Sequence, residues 1–226
     1  MSVTSVIISF NIMAYVVSSI LSRTPFGMSR TLLVDFALIS RLEYRYQIGL
    51  RIFTGEIGVK AGEWYRLATS AFLHDGLIHL AFNMYALAIL GLLLEKELGV
   101  VRFLLVYALS TLGGALGAII LSPVDLTVGA SGAIYGLLGA LVVIQRSIQG
   151  SFRNSPLMFL LIINLLFTFA IPQISVGGHL GGLIVGAAIG GLMVQFENHG
   201  RPKWMATMIG GLWMVTLFAL CISDIT

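Results

Sequence analysis

Charge is what this chain has least of. Only 10% of its 226 residues are Asp, Glu, Lys or Arg, while 58% are hydrophobic. Soluble domains carry about 25% charged residues, so a water-exposed globule is excluded. The composition is that of a polytopic membrane protein, read as one membrane domain over residues 1–226. A single cysteine, Cys221, excludes an internal disulfide framework and cysteine-based metal sites. No H-E-x-x-H string occurs, which removes the zinc-protease pattern. Asp35, Asp75, Asp125 and Asp224 all fall outside the apolar runs, so no intramembrane aspartate pair exists. The net charge of +3 comes without a basic patch interleaved with aromatics. It points to lipid headgroups and not to nucleic acid.

What the chain has instead is long apolar runs. A run of about 17–25 residues can cross a bilayer, and seven are expected: roughly 3–21, 77–95, 101–121, 130–146, 156–172, 176–196 and 204–222. The first lacks a basic leader and an A-x-A cleavage site, so it reads as a retained span. Residues 22–76 are too polar to cross. They mix aromatic, aliphatic and basic side chains, as expected of elements lying in the interface.

Lys96, Arg102, Arg146, Arg153, Arg201 and Lys203 all follow spans two, four and six. By the excess of basic residues in cytoplasmic loops, those ends are expected in the cytoplasm. The first loop opposes the rule, with Arg23, Arg30, Arg41, Arg45, Arg51, Lys60 and Arg66; these are expected to rest on headgroups. Either way, spans two, four and six start from one face. Short loops without appended soluble domains suggest a prokaryotic plasma membrane.

Small residues recur at helical spacing: Gly178, Gly182, Gly186 and Gly190; Gly132, Gly136 and Ala140; Gly113 and Gly117. Such stripes let helix backbones approach closely in lipid. Near their shared-face ends, spans two, four and six also carry scarce polar residues. His79 and Asn83 are four apart, as are Ser131 and Tyr135, and His179 follows Gly178. Each lies within one or two turns of its helix start, so Ser, His, His and Asn share a depth. A serine hydroxyl is a weak nucleophile and needs a neighbouring base. His179 could supply it, with His79, Asn83 and the Ser131 amide as donors to an oxyanion. With no carboxylate at this depth, a Ser–His dyad is expected, its imidazole held by packing against Tyr135. His74 and His79, five apart, would diverge by about 140° on one helix. A transporter or proton relay would more often show buried carboxylates. The sole candidate, Glu95, lies at a helix end beside Lys96.

These residues resemble the rhomboid family of intramembrane serine proteases, from about Glu63 to Gly190. "GEWYRLATSAFLHDGLIHLAFN" is similar to the family's Trp-Arg loop and H-x-x-x-N helix start, with Trp64, Arg66, His79 and Asn83 on the matching positions. "GLLLE", ending at Glu95, resembles its G-x-x-x-E. "GASG", with Gly129 and Ser131, resembles the nucleophile motif, and "GGHLGGLIVG" the motif of the base, His179. The resemblance implies a six-helix all-α core over about 1–196, with the span at 204–222 appended. The sequence itself offers no cofactor site, and none is expected; the resemblance implies a partly submerged first loop over 22–76. Its implied partners are the lipid bilayer and transmembrane protein substrates, which enter laterally past a cap near 171–177 and are cut near the outer face. A catalytically silent rhomboid-like membrane chaperone and a small transporter are the alternatives.

Overall fold

In the computed structural model, which describes residues 1–24, 27–48, 51–150 and 155–223, nearly all regular structure is helical. Arg153 and Asp224, used above in the charge reading, lie outside the described residues. Six helices are long and apolar enough to cross a membrane. They are α1 (Val3–Ser22), α4 (Leu77–Leu98), α5 (Val100–Leu121), α6 (Ser131–Gln149), α8 (Val176–Asn198) and α9 (Lys203–Ile222). The chain is a multi-pass integral membrane protein. The expected fifth span is the shorter α7 (Pro156–Ala170), of 15 residues. At about 1.5 Å per residue it reaches only about 22 Å, less than the bilayer core. Its length is set by proline at both ends. Pro156 opens the first turn, and Pro172 forces the preceding Ile171 into extended backbone at φ −107°, ψ 108°.

The first loop holds α2 (Arg30–Phe36), an antiparallel hairpin of β1 (Leu42–Ile48) and β2 (Arg51–Ile57), and the one-turn α3 (Arg66–Thr69). The hairpin follows from alternation. Leu42 and Tyr44 share one face with their partners Ile57 and Gly55, while Glu43, Arg45 and Gln47 take the other. Arg66, fully buried, anchors this loop. It donates to the carbonyls of Val34 (2.7 Å) and Ala37 (2.8 Å) and pairs with Glu63 at 2.7 Å. Burial alone would raise the Glu63 carboxyl. Hydrogen bonds from Arg66 and the Gly58 amide outweigh it and hold the group below 4.5.

Helix α8 is the centre of the bundle because glycines let it sink between α5 and α6. A Cβ on Gly182 or Gly186 would strike the backbone of Gly132 or Gly136, and one on Gly190 would come 2.9 Å from Ala140. On the other side, Gly177 and Gly181 meet Gly117 and Gly113. Helix α9 lies against α5 and α8, where a Cβ on Gly210 would come 2.6 Å from Leu105 and 3.1 Å from Ile189. Its start is tied by Glu197, which binds both Arg102 (2.8 Å) and Lys203 (3.4 Å). Its far end buries Cys221 in a cluster with Leu38, Val59 and Leu67 of the first loop.

Candidate active site

Ser131 is the first residue of α6, and the chain leading to it is held by the first loop. Leu38 and Thr127 exchange two backbone hydrogen bonds of 2.9 Å, and the Gly129 amide donates to the Ser70 carbonyl at 2.9 Å. Gly129 takes φ +121°, and a Cβ there would lie 2.8 Å from His79 Nε2 and 3.7 Å from Ser131 Oγ. A glycine at this place therefore brings the His79 ring against the approach to Ser131.

His179 comes from the first turn of α8, whose start is capped by Ser175 accepting from the Gly178 amide at 3.1 Å. Gly132, beside Ser131, faces the Gly178 carbonyl, beside His179, at 3.3 Å from its Cβ position. Serine and imidazole thus flank one close helix contact. Among the described residues no hydrogen bond joins Ser131 Oγ to His179. Catalytic hydrogen bonds are often long without substrate and tighten in the complex. The His179 ring stacks on Tyr135, with centroids 3.9 Å apart and planes at 19°. Its Nδ1 lies 2.9 Å from Thr168 Oγ1. A cavity of about 40 Å³ opens beside Ser131, bounded by Leu67, Thr111, Ala115 and Ser175. That is room for water.

Asn83 is buried one turn below His79, and its amide nitrogen donates to the His79 carbonyl at 2.9 Å. An amide has a second hydrogen to offer. His74 departs from the helical-wheel expectation. Helix α4 starts only at Leu77, after Gly76 at φ +111°, so His74 sits in the preceding loop. Its ring meets that of His79 edge-on, 5.1 Å between centroids. Both nitrogens of His74 are buried without a partner among the described residues. Burial first, and then the neighbouring His79, push this imidazole down to about 4, overruling the nearby Phe72 backbone.

Trp64, Arg66 and Glu95, expected from their family-matching positions to support the site, lie outside this cluster. Glu95 is at the opposite end of α4, where it accepts from the amides of Val3 and Thr4 (2.8 Å each) and from Thr4 Oγ1 (2.6 Å). It caps α1, as a carboxylate at a helix N-terminus does. Arg66 is spent inside the first loop. Trp64 is 51% exposed and packs edge-on to Phe218 of α9. Conversely, Thr168 escaped the sequence reading. Its signal is the Asn164–Thr168 pair, four apart in the otherwise apolar α7. Polar groups in a membrane helix seldom lack a task.

Residues 61–196, more than half the chain, match the Rhomboid domain family model. The chain belongs to the rhomboid family. It is 42% identical over 131 residues to Rhomboid protease GluP of Bacillus subtilis (strain 168), covering 57% of this chain and 26% of that protein. It is 34% identical over 150 residues to RHOMBOID-like protein 6, mitochondrial, of Arabidopsis thaliana, covering 65% and 49%. With Rhomboid-like protease 3 of Toxoplasma gondii it shares 27% identity over 206 residues, 88% of this chain and 72% of the other. The chain thus spans about a quarter of one of these relatives and half of another.

Proposed function

We propose that this rhomboid chain is an intramembrane serine endopeptidase working through a Ser131–His179 dyad. The observation that carries the reading is the seating of His179. Its ring is flat on Tyr135 and bonded at Nδ1, on the turn of α8 that meets the turn of α6 bearing Ser131. His179 Nε2 takes the Ser131 proton as Oγ attacks the peptide carbonyl. The resulting oxyanion is received by the Ser131 amide at the helix start, His79 and Asn83. Collapse breaks the C–N bond, and His179 gives its proton to the departing amine, leaving an acyl-enzyme. Water, for which the cavity beside Ser131 has room, then loses a proton to His179 and attacks the ester. The C–O bond to Ser131 then breaks, Oγ takes the proton back from His179, and the products are a carboxylic acid and free Ser131.

The substrates in this reading are single transmembrane helices. Their backbone must unwind before a nucleophile can reach a carbonyl, and unwinding in lipid exposes unpaired polar groups. A site within the first turns of α4, α6 and α8, near the membrane surface, lowers that cost. We place this surface on the extracytoplasmic side of a prokaryotic plasma membrane, opposite the Lys- and Arg-bearing ends of α4, α6 and α8. The loop at 171–175, before α8, caps the site.

The test is cleavage of a transmembrane substrate by the full chain in liposomes, beside Ser131→Ala and His179→Ala. Cleavage disappears in both variants while their helical content and melting are retained. A fluorophosphonate labels the wild type and not Ser131→Ala. Undiminished cleavage by Ser131→Ala overturns the reading, and an uncut substrate with an unlabelled wild type favours a silent chaperone.

A further inference from the structure

Helix α7 has one buried residue, and it is polar. Thr168 is 1% exposed, whereas the other residues of α7 are half-buried or exposed. In an apolar helix packed against two others, the buried position would ordinarily hold Leu or Ile. The hydroxyl here lies 2.9 Å from His179 Nδ1, 2.5 Å from the Tyr135 hydroxyl and 2.9 Å from the Asn164 carbonyl. The Tyr135 hydroxyl also donates to the Asn164 carbonyl at 2.7 Å.

We propose that Thr168 is a positioning residue that fixes the tautomer of His179. This inference rests on the dyad reading above. A threonine has one proton and two lone pairs. When that proton serves the Asn164 carbonyl or the Tyr135 oxygen, the lone pair facing Nδ1 requires a ring N–H. The imidazole then carries its hydrogen on Nδ1 and leaves Nε2 bare, the form a general base needs. Triad hydrolases obtain the same result from a carboxylate on Nδ1. In lipid a buried carboxylate is costly, and a hydroxyl already paired to a helix carbonyl is not. The same bond favours the imidazolium that forms as Ser131 attacks, because Thr168 oxygen remains an acceptor for Nδ1–H throughout. Tyr135 completes the arrangement: its ring carries the imidazole and its hydroxyl orients the threonine.

The experiment uses the full chain in nanodiscs, with wild type, Thr168→Val, Thr168→Ala and Thr168→Ser. ¹⁵N-histidine NMR reads the protonation of each His179 ring nitrogen at alkaline pH, independently of any turnover. Wild type and Thr168→Ser show Nδ1 protonated and Nε2 bare; Thr168→Val and Thr168→Ala show mixed tautomers. In the cleavage assay, Thr168→Val lowers kcat by about 10- to 100-fold, the worth of one hydrogen bond to a charged group. KM stays unchanged, and Thr168→Ser restores most of kcat. A wild type protonated on Nε2 overturns the inference, as does Thr168→Val with wild-type tautomer and kcat. If Ser131→Ala still cleaves, the dyad reading fails instead, while the tautomer still decides what Thr168 does. A Thr168→Val chain that does not fold leaves Thr168→Ala, Thr168→Ser and the wild-type spectrum to decide.

Discussion

The His179 imidazole lies on the Tyr135 ring, with centroids 3.9 Å apart and planes 19° from parallel. Tyr135 is one turn after Ser131 on α6, so one helix supplies both the serine and the platform for the imidazole proposed as its base. Offset stacking of two rings is worth about 0.5–1.5 kcal/mol beyond buried area. Tyr135→Leu, which keeps bulk and loses the ring, is expected to lower kcat by about 3- to 10-fold. Tyr135→Phe keeps the platform and loses only the hydroxyl that meets Thr168 and Asn164. Its fall in kcat is expected to be smaller than that of the leucine variant. Steady-state cleavage at saturating substrate separates the two contributions.

Gly129 is constrained twice, by φ +121° and by a Cβ position 2.8 Å from His79 Nε2. Gly129→Ala must strain the backbone by about 1–3 kcal/mol and displace the His79 ring or the chain entering α6. Gly62 and Gly200 also have positive φ, at +92° and +61°, but open space around them. All three alanine variants are expected to lose some thermal stability. Only Gly129→Ala is expected to lose kcat/KM and fluorophosphonate labelling as well. Equal activity across the three would mean that His79 has no part in receiving the oxyanion.

Much of this site was legible because polar residues are scarce in membrane helices. Ser131, Tyr135, His79, Asn83 and His179 stand out against apolar neighbours, and helical spacing puts each pair on one face. The glycine stripes marked spans three, four and six as helices able to approach closely, since close backbone approach tolerates only small residues, without saying which of them meet. Partner choice was less legible. Thr168 reads as one more small residue until the fold brings α7 against α8. Glu95 shares a helix with His79, yet α4 is long enough to put the two at opposite ends, and only tertiary structure shows that it caps α1. The hairpin at 42–57 was in the sequence as period-two alternation, but its aromatic and basic content reads equally as an interfacial segment. For His74, the wheel argument assumed a helix that Gly76 had not yet begun.

Arg66 supports the loop that in turn holds Ser70 and Gly129. It is 1% exposed and serves two carbonyls and Glu63 at once. Arg66→Ala leaves the Val34 and Ala37 carbonyls without their donor, at about 1–3 kcal/mol for a buried acceptor left unsatisfied, while Glu63, its side chain 28% exposed, turns to water. Arg66→Lys supplies charge but not the planar fork that reaches three acceptors, so it is expected to recover only part of that loss. Equilibrium unfolding in mixed detergent, monitored by helical content, measures both. A loss under about 1 kcal/mol for Arg66→Ala would show that water replaces the guanidinium and that the loop is held by its apolar contacts.

His74 makes stability depend on pH in a defined direction. Its imidazole is held at about 4 in the folded chain, against 6.5 when unfolded. Between those values the unfolded chain binds a proton that the folded chain refuses. Stability is therefore fully present above 6.5, falls as pH drops through this window, and stops falling from this source below about 4. The ceiling on the effect is about 3 kcal/mol for a wholly buried group. His74→Leu removes the titration and also two nitrogens that have no partner among the described residues. It is expected to be at least as stable as wild type at pH 5 and to show a flatter profile between pH 7 and pH 4. Unfolding measured at each pH gives the two slopes, and their difference isolates His74 from the other titrating groups. Parallel slopes would mean that His74 is already charged in the folded protein, with water or a displaced Asp75 compensating it.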